Sequence, residues 1–214
     1  MSASLELFER ATRRFGKPAF GLATTTIGEA IIAIKEESLL KKPFASLLHF
    51  SKVWPEGAAA VTQEKLLIVA PMSGHYATLL RNTVEALLPH FDVYVTDWAD
   101  ARTVPLSQGK FDLEDYVDYL IEMLQLLGPG VNIMAVCQPS VPVMAAVSLL
   151  NARAETYAPK SMILMGGPID TRRNPTAVNK LAKEKGADWF RQNVIMKVPF
   201  PHAGFMRDVY PGFL

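Results

Sequence analysis

The chain has 214 residues, of which half are hydrophobic and a fifth are charged. This is the composition of an ordinary globular protein, and the length suits one α/β domain better than two. The chain has 22 basic and 21 acidic residues, so its formal net charge is only +1. A basic surface for nucleic acid is therefore not expected. The sequence has no apolar run that approaches the roughly 18 residues of a membrane span.

The N-terminus and the cysteine content predict where the protein works. The first ten residues lack the basic segment and apolar run of a secretory signal. Cys137 is the only cysteine, so an internal disulfide is excluded, and the four histidines do not have the spacing of a zinc site. These features predict a cytoplasmic protein.

The N-terminal part is predicted to be a helix and a linker. Ser4 can cap a short amphipathic helix that ends before Gly16. Gly21–Ile27 is a threonine-rich connection. We therefore predict two segments, residues 1–28 as the helix and linker and residues 29–214 as the main domain.

The main domain begins with two β-capable runs, Ala30–Ile34 and Phe44–Phe50, which we expect to pair antiparallel at a sheet edge. His49 alternates with apolar neighbours, so we expect it to be exposed or at an edge. Apolar strands and helices then alternate along the chain. Strands are predicted at Leu66–Pro71, Asp92–Trp98, Val131–Val136 and Ser161–Gly167, and helices at Ala77–Leu88, Asp112–Leu127, Val143–Leu150 and Ala177–Lys185.

Alternating strands and helices of this spacing predict a mostly parallel sheet with helices on both faces. The charge-free strands agree, because parallel strands are covered on both sides. In such sheets ligands bind beyond the carboxyl ends of the strands. Three loops lie at those ends, namely Pro71–His75, Cys137–Ser140 and Gly166–Asp170.

Cys137 lies where a strand meets a helix, the position of the nucleophile in a nucleophile elbow. The usual pattern is Gly-x-nucleophile-x-Gly, and here it is degenerate, Ala135-Val136-Cys137-Gln138-Pro139. A thiolate is the attacking form of cysteine, and a helix N-terminus stabilises an anion. Free cysteines are also among the most frequently buried residues. From position alone, a buried thiol and a nucleophile have equal weight.

An oxyanion hole would need two backbone N–H groups near the thiol. The position after the nucleophile supplies one, the N–H of Gln138. The loop after the Leu66 strand supplies the other, and Met72 is the best-placed residue in it.

Several segments together resemble the intracellular polyhydroxyalkanoate (polyhydroxybutyrate) depolymerases. The strongest are PMSGHYATLLR at 71–81, TDW at 96–98, VCQP at 136–139 and MGGPID at 165–170, and GKPAF at 16–20 and FMRDVYP at 205–211 are also similar. The resemblance implies an α/β-hydrolase fold and a cysteine nucleophile, carried onto Cys137. It also implies hydrolysis of storage-polyester ester bonds at the granule surface, without a metal or organic cofactor.

Members of that family are longer at both ends than this chain. We therefore expect the sheet to lack its last strands, and the family's acid and histidine to lie beyond Leu214. The weaker alternative assigns these roles to Asp170 and His202. Ser73 and His75 are expected to orient the oxyanion loop or contact substrate.

Two other functions remain open. Polyhydroxyalkanoate synthases also use a cysteine on a similar elbow, so the reaction could be acyl transfer toward polymer. A granule-associated relative that has lost its triad would have no activity. The PMSGHYATLLR and MGGPID segments favour the depolymerase.

Overall fold

A computed structural model describes residues 5–6, 9, 13, 16–57, 59–72 and 76–210. The predicted N-terminal helix lies mainly outside these residues, and the boundary after residue 28 stays a prediction. The chain forms two compact units. The sheet unit comprises Pro18–Trp98 and Phe111–Pro168, and the C-terminal unit comprises Met1–Lys17, Ala99–Lys110 and Ile169–Leu214.

Seven strands form the sheet, in the order β1-β2-β3-β5-β4-β6-β7. β1, β2, β3 and β5 pair antiparallel, and β5, β4, β6 and β7 pair parallel. The strands are β1 Thr24–Ile27, β2 Ala30–Lys41, β3 Ala45–Val53, β4 Lys65–Val69, β5 Asp92–Trp98, β6 Asn132–Val136 and β7 Ser161–Met165.

Three helices connect the parallel strands, and a fourth lies in the C-terminal unit. The helices are α1 Arg81–Leu87, which follows a 3-10 turn at Ala77–Leu80, α2 Leu113–Leu127, α3 Ser140–Ala152 and α4 Ala177–Asn193. The β4–β5 connection runs along the sheet in the opposite direction from the next two connections. Because such crossovers are right-handed, α1 lies on one face and α2 and α3 on the other. The predicted α/β fold class is confirmed.

The middle of the sheet is apolar because both of its faces are covered. Leu67, Ile68 and Val69 of β4 and Ile133 and Ala135 of β6 are fully buried. Strand β7 differs from the prediction, since most of its residues are exposed. It is the last strand in the sheet order, so it pairs with β6 on one side only.

Helix α2 has the N-cap and the buried apolar stripe that its sequence predicts. The carboxylate of Asp112 accepts hydrogen bonds from the N–H groups of Glu114 and Asp115, and the Asp115 carboxylate accepts one from the N–H of Asp112, which completes a capping box. The five residues predicted for its apolar stripe, Tyr116, Leu120, Met123, Leu124 and Leu127, are all buried. Among the described residues, the helices are all too short or too polar to cross a bilayer.

The antiparallel half of the sheet departs from the prediction in two places. Residues 24–27, predicted as a connection, form β1, and β1 is the edge strand in place of β2. His49 therefore lies on an interior strand. Its ring stacks on Tyr94 at 4.3 Å between centroids and binds the Asp92 carboxylate at 2.7 Å, so it is half-buried and was wrongly expected to be exposed.

The C-terminal unit is held by polar contacts. The buried guanidinium of Arg207 donates to the carbonyls of Val104 (3.1 Å), Pro105 (2.7 Å) and Gly109 (2.7 Å). Helix α4 is interrupted at Gly186, where φ is +70°, and it buries none of its residues. Two short strands, β8 Met196–Lys197 and β9 Asp208–Val209, pair antiparallel. They were not predicted.

Candidate active site

The sheet topology brings two of the three predicted loops to one place. β4 lies between β5 and β6, so the chain leaves it toward opposite sides of the sheet, and ligands bind at such a switch point. Val69 of β4 is the register partner of Ala135 of β6. Because neighbouring strands lie about 4.8 Å apart, the residues that follow each of them, Met72 and Cys137, share one edge of the sheet.

Cys137 has the backbone of a nucleophile elbow. Its φ is +67°, in the left-handed region that a residue with a Cβ rarely adopts, and it is exposed. Its N–H donates to the carbonyl of Met165 on β7 (2.8 Å), and its carbonyl accepts from the N–H of Ser140 (3.1 Å). Backbone strain of this kind clusters at functional sites. Backbone hydrogen bonds on both sides of Cys137 therefore fix the turn, while the cysteine itself is exposed.

Close packing beneath the elbow explains Gly167. A Cβ on Gly167 would lie 2.0 Å from Oγ and 2.1 Å from Cβ of Ser140, and 3.0 Å from the carbonyl oxygen of Cys137. Ser140 is fully buried as the first residue of α3. The chain after β7 can therefore approach the elbow only without a side chain at 167.

Pro139 is the N-cap residue of α3, and Pro142 falls in its first turn. The N–H that proline lacks is not needed at these positions, because first-turn N–H groups have no partner within the helix. The departure from the usual elbow pattern therefore leaves the helix start intact.

The loop after β4 is fixed by two residues of β5. The N–H of Ala70 donates to Oγ1 of Thr96 (3.0 Å), and the carbonyl of Ala70 accepts from Nε1 of Trp98 (2.8 Å). Trp98 is buried, and its ring packs edge-on against Tyr116, with 4.3 Å between centroids. Thr96 and Trp98 thus hold the backbone that leads to Met72. No function was predicted for either residue, although the TDW segment was a signal.

The two predicted oxyanion donors are compatible with that role. Within the part of the chain that the structure describes, the N–H groups of Met72 and Gln138 have no hydrogen-bond acceptor. Gln138 follows the nucleophile directly, and both residues are exposed. Their assignment stays a prediction. Ser73 and His75 lie outside the described residues.

Asp170 is held by a neighbour in the C-terminal unit. Its carboxylate accepts from Nε of Arg172 at 2.8 Å and from Nη2 at 3.0 Å, and also from the Arg172 N–H. These bonds hold the pKa of Asp170 below its ordinary value. A carboxylate bound to its own turn in this way is typical of a turn residue. Its predicted role as the acid stays untested.

His202 is buried, also in the C-terminal unit. Its electrostatic partner there is Asp100, which forms an ion pair with Arg102 at 2.6 Å. Burial raises the pKa of Asp100, but the Arg102 hydrogen bonds and, to a lesser extent, His202 bring it below its ordinary value. Asp100 was not predicted from the sequence. It is a second candidate partner for the histidine.

Across the described residues, no group of three or more His, Cys, Asp or Glu side chains is placed to hold a metal ion. The chemistry available at the sheet edge is that of a thiol beside backbone N–H donors at a helix start. This combination suits attack on a carbonyl carbon.

The fold and the elbow define an α/β-hydrolase-like protein. Residues 166–214 match the family described as PHB de-polymerase C-terminus. This match at the C-terminal end confirms the predicted resemblance to the polyhydroxybutyrate depolymerases.

Solved structures of hydrolases are similar over part of their length. An N-formylmaleamic acid deformylase of Pseudomonas putida is 19% identical, with 64% of this chain and 48% of that one covered and a TM-score of 0.45. Naproxen esterase of Bacillus subtilis is 11% identical (61% and 42% covered, TM-score 0.39). Carboxylesterase CesB of Bacillus subtilis is 14% identical (79% and 57% covered, TM-score 0.42). The chain thus spans about half the length of these structures. No curated protein matches it.

Proposed function

We propose that the protein hydrolyses ester bonds of polyhydroxybutyrate or a related polyhydroxyalkanoate, with Cys137 as the nucleophile. The observation that carries the proposal is the exposed thiol at φ +67° between β6 and α3. The family match supports a polyester as the substrate. We further propose that the protein works in the cytoplasm at the surface of polymer granules.

The proposed reaction has two halves. Sγ of Cys137 attacks the ester carbonyl carbon, a C–S bond forms, and the N–H groups of Met72 and Gln138 stabilise the oxyanion. The intermediate collapses as the C–O bond breaks, and the alcohol end of the polymer leaves with a proton. Water then attacks the thioester, which releases the carboxylic acid and restores the thiol.

The proton transfers need a base that also acts as an acid. His202, with Asp170 as the acid that orients it, is the weaker of the two assignments of these roles. The bonds from Arg172 to Asp170 weigh against that residue, since they already engage both carboxylate oxygens. Asp100 is the alternative, because it interacts electrostatically with His202.

The test compares the wild type with Cys137→Ala on a soluble ester, p-nitrophenyl butyrate, and on amorphous polyhydroxybutyrate particles. Loss of the thiol should lower both rates by at least about a thousandfold. Because the side chain is exposed, the urea midpoint should not change. A folded Cys137→Ala protein with wild-type rates would refute the proposal.

A second variant separates the chemistry of the thiol from the packing of the elbow. Cys137→Ser keeps nearly the same side-chain size and replaces the thiol with a hydroxyl, which ionises far less readily. Both hydrolysis rates should therefore fall by at least about a hundredfold, while the urea midpoint stays unchanged. Wild-type rates in this variant would show that the reaction does not depend on the sulfur.

The covalent intermediate can be detected directly in the wild type. During turnover of p-nitrophenyl butyrate, mass spectrometry should show the mass of one acyl group on the peptide that contains Cys137. If hydrolysis of the thioester limits the rate and this adduct is absent, water attacks the ester directly and the acyl-enzyme route is wrong.

A further inference from the structure

A loop of the C-terminal unit exposes apolar side chains. We refer to Val198–Met206 as the apolar tip. Phe200 is 75% exposed, and Phe205 and Met206 are each 47% exposed. The two phenylalanine rings lie edge to face, with their centroids 6.4 Å apart. Exposed apolar groups that lie together mark interaction sites more often than isolated ones do.

The backbone beneath these side chains is fixed. The N–H of Val198 donates to the carbonyl of Arg207, and the N–H of Met206 donates to the carbonyl of Val198, both at 2.9 Å. The N–H of Gly204 donates to the carbonyl of Arg102 at 2.8 Å. A Cβ on Gly204 would lie 2.7–2.9 Å from three carbonyl oxygens, so the two segments pack backbone to backbone. The rings are therefore presented on an ordered scaffold, which reduces the entropy lost on binding.

The exposed side chains of the apolar tip are uncharged, and its one titratable side chain, His202, is buried. The apolar tip contains no Asp, Glu, Lys or Arg. The charges at its ends are engaged, since Lys197 pairs with Asp208 at 2.7 Å and the Arg207 guanidinium binds backbone carbonyls. Surfaces that bind lipid membranes usually combine apolar groups with free Lys and Arg. A fixed, aromatic and uncharged surface suits an uncharged apolar solid.

We propose that the exposed side chains of the apolar tip, those of Phe200, Phe205 and Met206, bind the surface of the polyester. This inference rests on the proposed function for the identity of the polymer. The tip also lies within residues 166–214, the part of the chain that matches the depolymerase family.

Binding is measured in the Cys137→Ala background, so that the polymer is not consumed. The probe is surfactant-free amorphous polyhydroxybutyrate particles, and the readout is the bound fraction after sedimentation. The double variant Phe200→Ser with Phe205→Ser should bind at least about tenfold more weakly. The conservative double variant Phe200→Leu with Phe205→Leu keeps the apolar area and should stay within about threefold of the parent.

The matched control is Leu106→Ser with Val178→Ser, two apolar residues of the same unit that are 52% and 66% exposed. It should bind within about twofold of the parent. Equal losses in the control and the tip variant would overturn the proposal. So would stronger binding of the parent to phosphatidylcholine vesicles than to the polymer.

A further measurement uses no substitution in the apolar tip, so its result does not depend on whether the tip variants fold. Hydrogen exchange of the Cys137→Ala protein should slow in a peptide spanning residues 198–207 when particles are added. Unchanged exchange there, at a particle concentration where the protein is bound, would overturn the proposal.

The two proposals fail in different ways. With Cys137 present, the tip variant should hydrolyse p-nitrophenyl butyrate at the parent rate and lose activity only on particles. Undiminished polymer binding by the tip variant would overturn the role of the tip alone. Retained ester hydrolysis in Cys137→Ala would overturn the role of Cys137 and leave the binding result standing.

Discussion

The two units of the chain are stabilised by different means. The sheet unit has a continuous apolar core, to which strands β3, β4, β5 and β6 and all three of its helices contribute fully buried residues. In the C-terminal unit, Val104 and Val198 are the buried aliphatic residues among those described, and His202 and Arg207 are buried beside them. Helix α4 buries nothing. Hydrophobic burial therefore dominates in one unit and hydrogen bonds to backbone in the other.

The difference has a consequence for function. A strained backbone conformation persists only where the surrounding structure is rigid, and the close-packed sheet provides that rigidity at Cys137. A unit held mainly by hydrogen bonds can leave apolar side chains exposed, as the apolar tip does. Substitutions in the two units should therefore differ in both the size and the extent of their effects.

The largest effect is expected from Leu67→Ala in the centre of β4. Leu67 is fully buried, so its truncation loses transfer free energy and leaves a cavity. We expect the free energy of unfolding to fall by about 2–5 kcal/mol, measured by urea denaturation. The control is Leu126→Ala on the exposed side of α2, which should change it by less than about 0.5 kcal/mol. Similar values for the two variants would contradict the apolar-core description of the sheet unit.

A smaller and more local effect is expected from Arg207→Met. The change removes the donors that satisfy the carbonyls of Val104 and Gly109, and a lost charge-assisted bond costs about 1.5–3 kcal/mol. Amide exchange in residues 104–109 should accelerate by at least about tenfold, while exchange in the sheet unit stays unchanged. In the control, Lys197→Met removes only an exposed ion pair and should have little effect. Equal acceleration in the sheet unit would show that the units do not open independently.

Sequence patterns predicted the parts of the fold that rest on apolar periodicity. The stripe from Tyr116 to Leu127 and the N-cap at Asp112 were both confirmed. The exposure of β7 could not be predicted in the same way, because its residues are as apolar as those of a covered strand. The strands β8 and β9 have two residues each, too few for any periodic signal.

The candidate site was predictable where it depends on local geometry and not where it depends on packing. The turn at Cys137 follows from a strand before it and a helix after it. The contacts of Thr96 and Trp98 with Ala70 join residues 26 and 28 positions apart, and they require the register of β4 on β5. The electrostatic effect of His202 on Asp100 joins segments that lie even farther apart along the chain. The spacing of residues along the sequence does not indicate either of these interactions.

The smallest effect is expected from Asp92→Asn, which tests a polar cluster inside the sheet unit. The Asp92 carboxylate accepts from the Tyr94 hydroxyl at 2.6 Å and binds Nε2 of His49 at 2.7 Å. Burial raises the pKa of Asp92, but the bonds from His49 and Tyr94 outweigh it and hold the pKa below its ordinary value. The variant should lower the free energy of unfolding by about 1 kcal/mol at pH 7.

The sign of the pH dependence follows from that lowered pKa. A carboxylate with a depressed pKa in the folded state stabilises the protein above the pKa of the unfolded chain, about 3.9. That contribution is lost as the pH falls through the folded-state value. The difference between wild type and Asp92→Asn, measured by urea denaturation, should therefore shrink as the pH falls below about 4. A difference that grows as the pH falls below about 4 would contradict the assignment, and a difference at pH 7 that matched that of Arg207→Met would remove the contrast between the two units.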